Sequence, residues 1–513
     1  MPIPLRAAVT TATTLGLSGV GYIVYKQQQD LFEQKQQELL KKEQVQAPVI
    51  DHYANRDTRP YTLLSPETIN ERLRADQFVT RTPLDRVKAV YTSQVASNNP
   101  VEDNYSVNLV GTQGLIAGVY DGHIGPDCSR MIKTQLPKYV ARQLDSDKPE
   151  TPEAVESTLS KAFVTLDDDI QQRFYALFPK NVNRSNEKDI RDAVSRHPNP
   201  AAAELYIREA ITGSCACAVY LDGDDLYAAN TGDSRVMCMY ITCFVVVRQE
   251  KDGSWTGRRI VEEQSPAHPD WKAYMISQHP ANEAEDIVKR KRIFGLIAVG
   301  GSFGDIMYKV PVPYQMKVLP FIPYDIYHTF ARYHHRIVVH YHTPPYLSSK
   351  PLVTHHKLTP EDKYIILGTD GLWDELSWDN VRSSDGDQVA AELISTKGPD
   401  ANPATHMIRQ ALLFDAVYKN VHIKAPVSNP TLELSKRLTR KPSRNYRDDI
   451  TVTVIQLQPP SQSDSSSSIN VEDPSYDPAV GRLEECKPVD TSDGRIFTPK
   501  PTSWFSGWIW ARL

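Results

Sequence analysis

The sequence predicts a layered α/β or α+β domain in which pairs of β-strands alternate with helices. Alternating or continuous apolar runs at 106–110 and 115–120 enclose a glycine-containing turn, and the runs at 215–220 and 226–229 enclose a second one. A third observation is the helical spacing of apolar residues over 155–175. Strands joined by such short turns must be antiparallel, so the pattern excludes a repeat of parallel βαβ units.

The start of the globular part is marked by a helix signal. Ser65 is a plausible N-cap, and Pro66 suits the first helical turn because its missing N–H needs no partner there. We therefore expect a folded domain from about residue 60.

Composition divides the 513 residues into four parts. Residues 1–29 contain no acidic residue and predict a mitochondrial targeting segment, in which the apolar run 7–25 is long enough for a single membrane span. Residues 30–59 predict a polar helical linker, and 60–460 the main globular domain. The serine-rich residues 461–513 predict a disordered tail with an aromatic C-terminus.

The C-terminus leaves two questions open. Trp504, Trp508 and Trp510 could pack on the body or enter a membrane surface. The final Ala511-Arg512-Leu513 is a variant of the peroxisomal address, which would give a secondary destination beside the mitochondrial matrix or the inner or intermembrane face.

Cysteine content and charge exclude several classes of protein. The six cysteines lack zinc-ligand spacing, which favours reduced thiols packed in a core over disulfides and argues against secretion. A net charge of −5 without a broad basic field argues against a nucleic-acid partner.

Aspartates stand at the ends of three predicted strands that are far apart in the chain. Asp370 follows the apolar run 365–368, Asp121 ends another run, and Asp448 precedes the strand at 450–455. A single Asp-Gly after a strand usually marks only a turn. Three such carboxylates together predict one shared site.

Magnesium and manganese prefer carboxylate and carbonyl oxygens, so this site is predicted to hold two divalent ions. Two ions lower the pKa of a bridging water and clamp a phosphate for in-line attack. His123 is placed to donate a proton to the leaving alkoxide. The candidate ligands, direct or through water, are Asp121, the carbonyl of Gly122, Asp370, Asp448, Glu102 and Asp103.

Six ordered motifs carry a family resemblance. They are Val101-Glu102-Asp103-Asn104, Asp121-Gly122-His123-Ile124-Gly125, Thr231-Gly232-Asp233-Ser234-Arg235, Phe303-Gly304-Asp305, Asp370-Gly371-Leu372-Trp373-Asp374 and Asp448-Asp449-Ile450-Thr451. Over roughly residues 60–457 the chain resembles the metal-dependent type 2C protein phosphatases, and within that family it is most similar to the mitochondrial pyruvate dehydrogenase phosphatase branch.

The resemblance implies two antiparallel sheets packed face to face and flanked by helices, with two Mg²⁺ or Mn²⁺ ions at one end. It implies that Asp121 bridges both ions and that His123 is the general acid. Asp233 would orient metal-bound water or hold a third, weaker ion. The implied substrate is a phosphorylated serine or threonine of a protein, such as the E1 component of the pyruvate dehydrogenase complex.

The chain also departs from the family. Many relatives have a phosphate-binding arginine where this chain has Asn98, so Arg447 or another cation is a candidate substrate contact. This departure keeps open a catalytically inactive scaffold as an alternative function. A different two-metal hydrolase, such as a nuclease, is a further alternative that the composition disfavours.

Three stretches have no counterpart in these expectations. The apolar run 239–248 and the Tyr- and His-rich run 324–342 look foreign to the family, and for the second we expect a surface loop, a lid or an isoform-specific segment rather than a transition-metal site. The cations at 436–444 predict a solvated loop or, alternatively, a docking surface for an acidic or phosphorylated partner.

Overall fold

The structure is a computed structural model that describes residues 59–232, 244–322, 334–376, 386–396, 398–418, 429–459 and 480–498. The chain divides into one unit at residues 1–60 and one compact unit at 61–513. The predicted targeting segment 1–29, the span at 7–25 and nearly all of the linker 30–59 lie outside the described residues.

Sixteen strands are described. In chain order they are β1 Asp76–Arg81, β2 Val87–Val95, β3 Asn104–Val110, β4 Gly114–His123, β5 Gly213–Asp222, β6 Asp225–Thr231, β7 Phe244–Gln249, β8 Trp255–Arg259, β9 Val288–Lys289, β10 Arg292–Ile293, β11 Phe303–Gly304, β12 Leu352–Lys357, β13 Asp362–Gly368, β14 Ile450–Leu457, β15 Arg482–Glu485 and β16 Lys487–Pro488. One sheet has the order β15-β1-β2-β14-β13-β7-β8, and a second has the order β12-β6-β5-β4-β3-β16 with β11 beside β5. Neighbours are antiparallel except for the outermost pairs β15–β1 and β16–β3, which are parallel. β9 and β10 form a separate short hairpin.

The helices connect and cover these sheets. They are α1 Pro66–Arg74, α2 Asp127–Asp147, α3 Pro152–Ala176, α4 Glu187–Ser195, α5 Pro200–Ile211, α6 Pro269–Ser277, α7 Ala284–Ile287, α8 Val312–Lys317, α9 Asp370–Leu376, α10 Gly386–Ser395, α11 Pro403–Tyr418 and α12 Pro430–Thr439. Short 3₁₀ turns lie at Val182–Arg184, Ala281–Glu283, Ile306–Tyr308, Leu319–Phe321 and Ser443–Asn445.

Three apolar clusters arrange these elements in four layers. One cluster joins both sheets, with Val119 and Val219 from the second sheet against Ile365 and Ile455 from the first. Of the other two clusters, one packs α2 and α3 on the outer face of the second sheet, and the other packs α9 and α11 on the outer face of the first. The expected sandwich of two mainly antiparallel sheets flanked by helices is confirmed.

Local predictions hold where the sequence signal is strong. Both predicted hairpins are present as β3–β4 and β5–β6, and the helical spacing over 155–175 lies within α3. Ser65 caps α1 as expected, because its Oγ accepts a hydrogen bond of 3.2 Å from the N–H of Thr68.

The apolar run 239–248, which looks foreign to the family, supplies in its described part an interior strand of the first sheet. Its described residues belong to β7, which pairs with β13 on one side and β8 on the other. Val245 and Val247 face the helix-covered cluster, whereas Val246 faces the cluster between the sheets. Because both faces of this strand are covered, its sequence is continuously apolar and lacks the alternation that marks a half-exposed strand.

The described part of the Tyr- and His-rich run, 334–342, is held to the body by two buried side chains. Ile337 and Tyr341 are buried, and the Tyr341 hydroxyl donates to the carbonyl of Val310 at 2.6 Å. His334 Nε2 lies 3.0 Å from the carbonyl of Gln315. His335, Val339 and His342 are exposed, so these inward side chains anchor a segment that lies at the surface, and His328 lies outside the described residues.

The expected disordered tail, 461–513, contains a docked segment at 480–498. Its strand β15 pairs with β1 at the edge of the first sheet, and β16 pairs with β3 at the edge of the second. The Arg495 guanidinium binds both carboxylate oxygens of Asp169 in α3. This segment was not predicted because it follows the low-complexity stretch 461–468. In addition, edge pairing uses backbone groups, which leave little trace in the sequence. The aromatic end, Trp504 to Trp510, and the final Ala511-Arg512-Leu513 lie outside the described residues.

The thiol prediction is confirmed for Cys128, Cys215, Cys217 and Cys486, which are free and buried. Among the helices that the structure describes, none combines the length and apolarity needed to cross a membrane.

Candidate active site

The ends of three strands bring the predicted aspartates together. Asp121 lies near the end of β4, Asp370 begins α9 directly after β13, and Asp448 lies just before β14. Strands β13 and β14 are antiparallel neighbours, so the end of one meets the start of the other. The backbone N–H of Asp370 lies 3.3 Å from Oδ2 of Asp121, which joins the two sheets at this point.

Asp103 is held beside these aspartates by two threonines. Its Oδ2 atom accepts hydrogen bonds from the hydroxyl of Thr369 at 2.7 Å and from that of Thr451 at 2.8 Å. The Thr369 hydroxyl also accepts from the N–H of Thr451 at 3.0 Å. The carboxylate is nearly fully buried, so its position is fixed by the strand ends themselves.

Asp449, which was not predicted as a site residue, fixes the loop that carries Glu102 and Asp103. Its Oδ1 atom accepts from the backbone N–H groups of Ser97 and Asn98, and its Oδ2 atom accepts from the N–H of Glu102 at 2.9 Å. The Asn98 amide donates to the same Oδ2 atom at 3.0 Å. Asn98, expected at the substrate, therefore supports this loop.

Gly122 is required by a close approach of two backbone segments. A Cβ atom at this position would overlap the carbonyl oxygen of Glu102. The same carbonyl accepts a hydrogen bond from the Ser129 hydroxyl at the start of α2. The glycine thus lets the β4 backbone approach the Glu102 loop closely.

The clustered carboxylates shift each other's protonation. Burial raises the pKa of Asp370, and the neighbouring charges of Asp121 and Asp448 raise it further. Burial raises the pKa of Asp448 to about 6 and that of Glu102 to about 7. Burial is also the main cause of the raised pKa values of Asp103 and Asp121. Burial and mutual repulsion thus make the ionised forms of these groups less favourable when no cation is bound.

The carboxylate and carbonyl oxygens of this site are of the type that binds a divalent cation, but they do not yet converge on one point. Across the described ranges, no three His, Cys, Asp or Glu side chains converge on a point that could hold a metal ion. However, the Oδ1 atom of Asp370 is buried without a hydrogen-bond partner. A buried oxygen left unpaired inside a carboxylate cluster is costly, and a hard cation would satisfy it.

A histidine–aspartate pair lies next to this cluster. The Nε2 atom of His123 is 2.7 Å from Oδ2 of Asp305, which also accepts a hydrogen bond of 2.7 Å from the Ser302 hydroxyl. Burial opposes the charge on His123, but the adjacent Asp305 carboxylate outweighs it and raises the pKa of His123. Asp305 was quoted within a motif but given no role, since only the fold joins positions 182 residues apart.

The backbone around this pair leaves no spare room. Asp305 adopts φ of +47°, and Gly304 before it has φ of +66°. A Cβ atom at Gly213 would overlap both His123 Nε2 and Asp305 Oδ2. These features make the pair a fixed part of the site.

Arg447, expected as a possible phosphate contact, is turned into the protein. It is buried, and its guanidinium donates to the carbonyls of Val95, Ala96 and Asp448. Burial lowers its pKa to about 10. Arg444 occupies the other side of Asp448, where its Nη1 atom forms an ion pair with Oδ2. Asp233, the predicted site of a third ion, lies outside the described residues.

Sequence comparison identifies a match to the family model described as protein phosphatase 2C over residues 112–242 and 274–392. The chain is 28% identical to the mitochondrial pyruvate dehydrogenase (acetyl-transferring) phosphatase 1 of Rattus norvegicus, covering 77% of this chain and 83% of that protein. The human phosphatase 2 of the same name is also 28% identical, over 76% of this chain and 83% of its own length. The corresponding Saccharomyces cerevisiae phosphatase 1 is 26% identical, over 71% and 67%.

Among solved structures, a Caenorhabditis elegans sex-determining protein aligns with 72% of this chain and 65% of its own, at 15% identity and a TM-score of 0.40.

Proposed function

We propose that the chain is a protein serine/threonine phosphatase of the protein phosphatase 2C family and that it hydrolyses phosphoserine or phosphothreonine with two bound Mg²⁺ or Mn²⁺ ions. The observation that carries the proposal is the partly buried cluster of Asp121, Asp370 and Asp448, with a buried, unpaired oxygen on Asp370, beside the His123–Asp305 pair. A cluster of like charges is expensive to retain unless a cation neutralises it.

Asp121, the carbonyl of Gly122, Asp370 and Asp448 would hold the ions, with Glu102 and Asp103 acting through water. Such ions supply a water of lowered pKa and positive charge against the phosphoryl oxygens. A third, weaker ion at Asp233 remains part of the proposal.

His123 is the proposed general acid. Its Nε2 atom is engaged by Asp305, so the other ring nitrogen, Nδ1, is left to carry the proton for the leaving group. Water oxygen bonds to phosphorus, the phosphorus–oxygen bond to the serine or threonine breaks, and the proton on Nδ1 passes to the departing oxygen. The products are the free hydroxyl side chain and inorganic phosphate.

The proposed substrate is a phosphorylated mitochondrial enzyme such as the E1 component of the pyruvate dehydrogenase complex. Its support is the similarity to three pyruvate dehydrogenase phosphatases over at least 71% of this chain. The same similarity, together with the acid-free residues 1–29, supports a mitochondrial location and most simply the matrix. A reporter fused to residues 1–29 and a second fused to the last twelve residues would separate mitochondrial import from a peroxisomal address.

The decisive experiment uses the full chain with a phosphoserine peptide and with phosphorylated E1. We expect turnover with Mn²⁺ or Mg²⁺, loss of turnover with EDTA, and loss in Asp370→Asn. Turnover that survives EDTA would rule out the metal mechanism. No turnover of either substrate with either metal would favour the inactive scaffold.

A further inference from the structure

The proposed substrate brings a phosphate with two negative charges towards a site built from carboxylates. Such a group is usually held by a cation that offers several N–H donors in one plane, as an arginine does. In many members of the family that this chain resembles, the phosphate-binding arginine stands at the position of Asn98. The side-chain amide of Asn98 donates to Asp449 and lies 3.4 Å from Oε2 of Glu102. The chain must therefore supply this contact from elsewhere.

Two arginines near the cluster already have structural tasks. Arg447 donates to backbone carbonyls on every side of its guanidinium. Arg437 pairs with Glu375 and donates to the carbonyl of Tyr446 at 3.0 Å. Moving either side chain to a substrate would leave its backbone acceptors unpaired, which destabilises the fold.

Arg444 differs from both in position and exposure. Its side chain is 55% exposed, yet its Nη1 atom contacts Oδ2 of Asp448. Burial opposes the charge on its guanidinium, but the charges of Asp448, Asp370 and Asp121 outweigh it and raise the pKa of Arg444, so the cluster favours a cation at this position. It projects from the short turn Ser443–Asn445, which is fixed by hydrogen bonds from the N–H groups of Tyr446 and Arg447 to the carbonyl of Ser443.

We propose that Arg444 binds the phosphoryl group of the substrate at the mouth of the site, an inference that rests on the proposed phosphatase function. A guanidinium has five N–H donors, and the contact with Asp448 uses Nη1. The remaining donors can meet phosphate oxygens while the contact with Asp448 orients the side chain. Exposure matters here because the substrate must reach the guanidinium from solvent.

The test compares Arg444→Ala and Arg444→Lys with Lys441→Ala in the full chain. Lys441 is an exposed cation three residues away that makes a matched control for general charge. The readouts are kcat and KM for p-nitrophenyl phosphate with Mn²⁺, and the inhibition constant of inorganic phosphate. We expect Arg444→Ala to raise KM and the inhibition constant about tenfold each, the size of one lost charged hydrogen bond. Arg444→Lys should fall between, since lysine lacks the planar fork, and Lys441→Ala should stay within about twofold.

A second measurement separates this role from simple pairing with Asp448. Calorimetric titration gives the Mn²⁺ affinity of each variant. If Arg444→Ala changes Mn²⁺ affinity but leaves the phosphate inhibition constant at the wild-type value, the proposal is overturned, while an active wild type keeps the phosphatase function standing.

The experiment also distinguishes the case in which the proposed phosphatase function fails but Arg444 still binds phosphate. If wild-type protein lacks turnover but the Mn²⁺-loaded form binds inorganic phosphate in the calorimeter, and Arg444→Ala abolishes that binding, the proposed function fails and the assignment of Arg444 holds.

Discussion

The Nε2 atom of His123 lies 2.7 Å from Oδ2 of Asp305, and the Asp305 side chain is fully buried. This contact fixes the ring and assigns Nε2 to the carboxylate. Since proton donation needs a group in the correct orientation and protonation state, Asp305 is a positioning residue for the proposed general acid.

Asp305→Asn should therefore impair substrates whose leaving oxygen needs a proton. We expect kcat for a phosphoserine peptide to fall about 10- to 100-fold. The kcat for p-nitrophenyl phosphate should fall by less than about threefold, because its leaving group departs without protonation. The amide also lowers the pKa of His123, so the alkaline limb of the peptide profile should move to lower pH. The control is Asp493→Asn, an exposed carboxylate that pairs with Lys138 and Arg142. Equal losses on both substrates would contradict the assignment.

Gly213→Ala tests how tightly the same pair is enclosed. Its new Cβ atom would overlap His123 and Asp305, so we expect the ring to be displaced and peptide turnover to drop at least tenfold. Gly223→Ala is the control, since Gly223 has φ of +58° in open space. That variant should lose about 1 kcal/mol of unfolding free energy and keep its turnover. Wild-type kcat in Gly213→Ala would show that the ring tolerates the intrusion.

The carboxylate cluster should make the metal-free protein less stable as pH rises. The pKa values of Asp448 and Glu102 are raised in the folded protein to about 6 and about 7. An acid raised on folding binds more protons in the native state, so stability falls with rising pH between about 4 and about 7. For Asp448 the loss is at most about 3 kcal/mol. Melting temperatures in EDTA should show this slope, and Mn²⁺ should flatten it by replacing the protons.

Asp370→Asn should raise the metal-free melting temperature while abolishing stabilisation by Mn²⁺. The amide removes one of the mutually repelling charges and cannot serve as an anionic ligand. Thermal melts with and without Mn²⁺ measure both effects. A variant that melts below wild type in EDTA would show that Asp370 stabilises the fold rather than straining it.

Asp449 should affect metal binding without being a direct ligand. Asp449→Asn replaces an acceptor by donors opposite Ser97, Asn98 and Glu102, which releases the loop at 97–103. We expect a lower melting temperature and Mn²⁺ affinity weaker by about 10- to 100-fold, as for other residues that orient ligands. Asp252→Asn, in an exposed turn with Ser254, should leave calorimetric Mn²⁺ affinity unchanged. Unaltered affinity in Asp449→Asn would separate the loop from metal binding.

Removal of the docked segment should destabilise both sheets. Truncation after residue 479 exposes the edges of β1 and β3 and removes the Arg495–Asp169 ion pair. We expect a lower melting temperature and a tendency to aggregate through the open edges. Truncation after residue 498 keeps these contacts and is the matched control. The same melting temperature for both truncations would mean that the segment adds no stability.

Several parts of the protein were predictable because their signals are local. The β3–β4 and β5–β6 hairpins follow from apolar runs around short turns, and the cap at Ser65 follows from one side chain and a proline. The strand-end position of Asp370 could also be read, since the apolar run before it stops there. The interior strand β7 was missed because the run 239–248 was interpreted as foreign to the family, although its continuous apolar sequence suits a strand covered on both faces.

The sequence alone determined which chemistry the site can support: Asp121, Asp370 and Asp448 are strand-end carboxylates suited to hard cations. Tertiary structure decided which groups act on them. It brought Asp305 to His123, used Asp449 and Asn98 to hold a loop, buried Arg447 and placed Arg444 against Asp448. The physical reason is that residue type and local spacing are written along the chain, whereas burial and hydrogen-bond partners depend on segments up to about 350 residues apart that meet only when two sheets pack face to face.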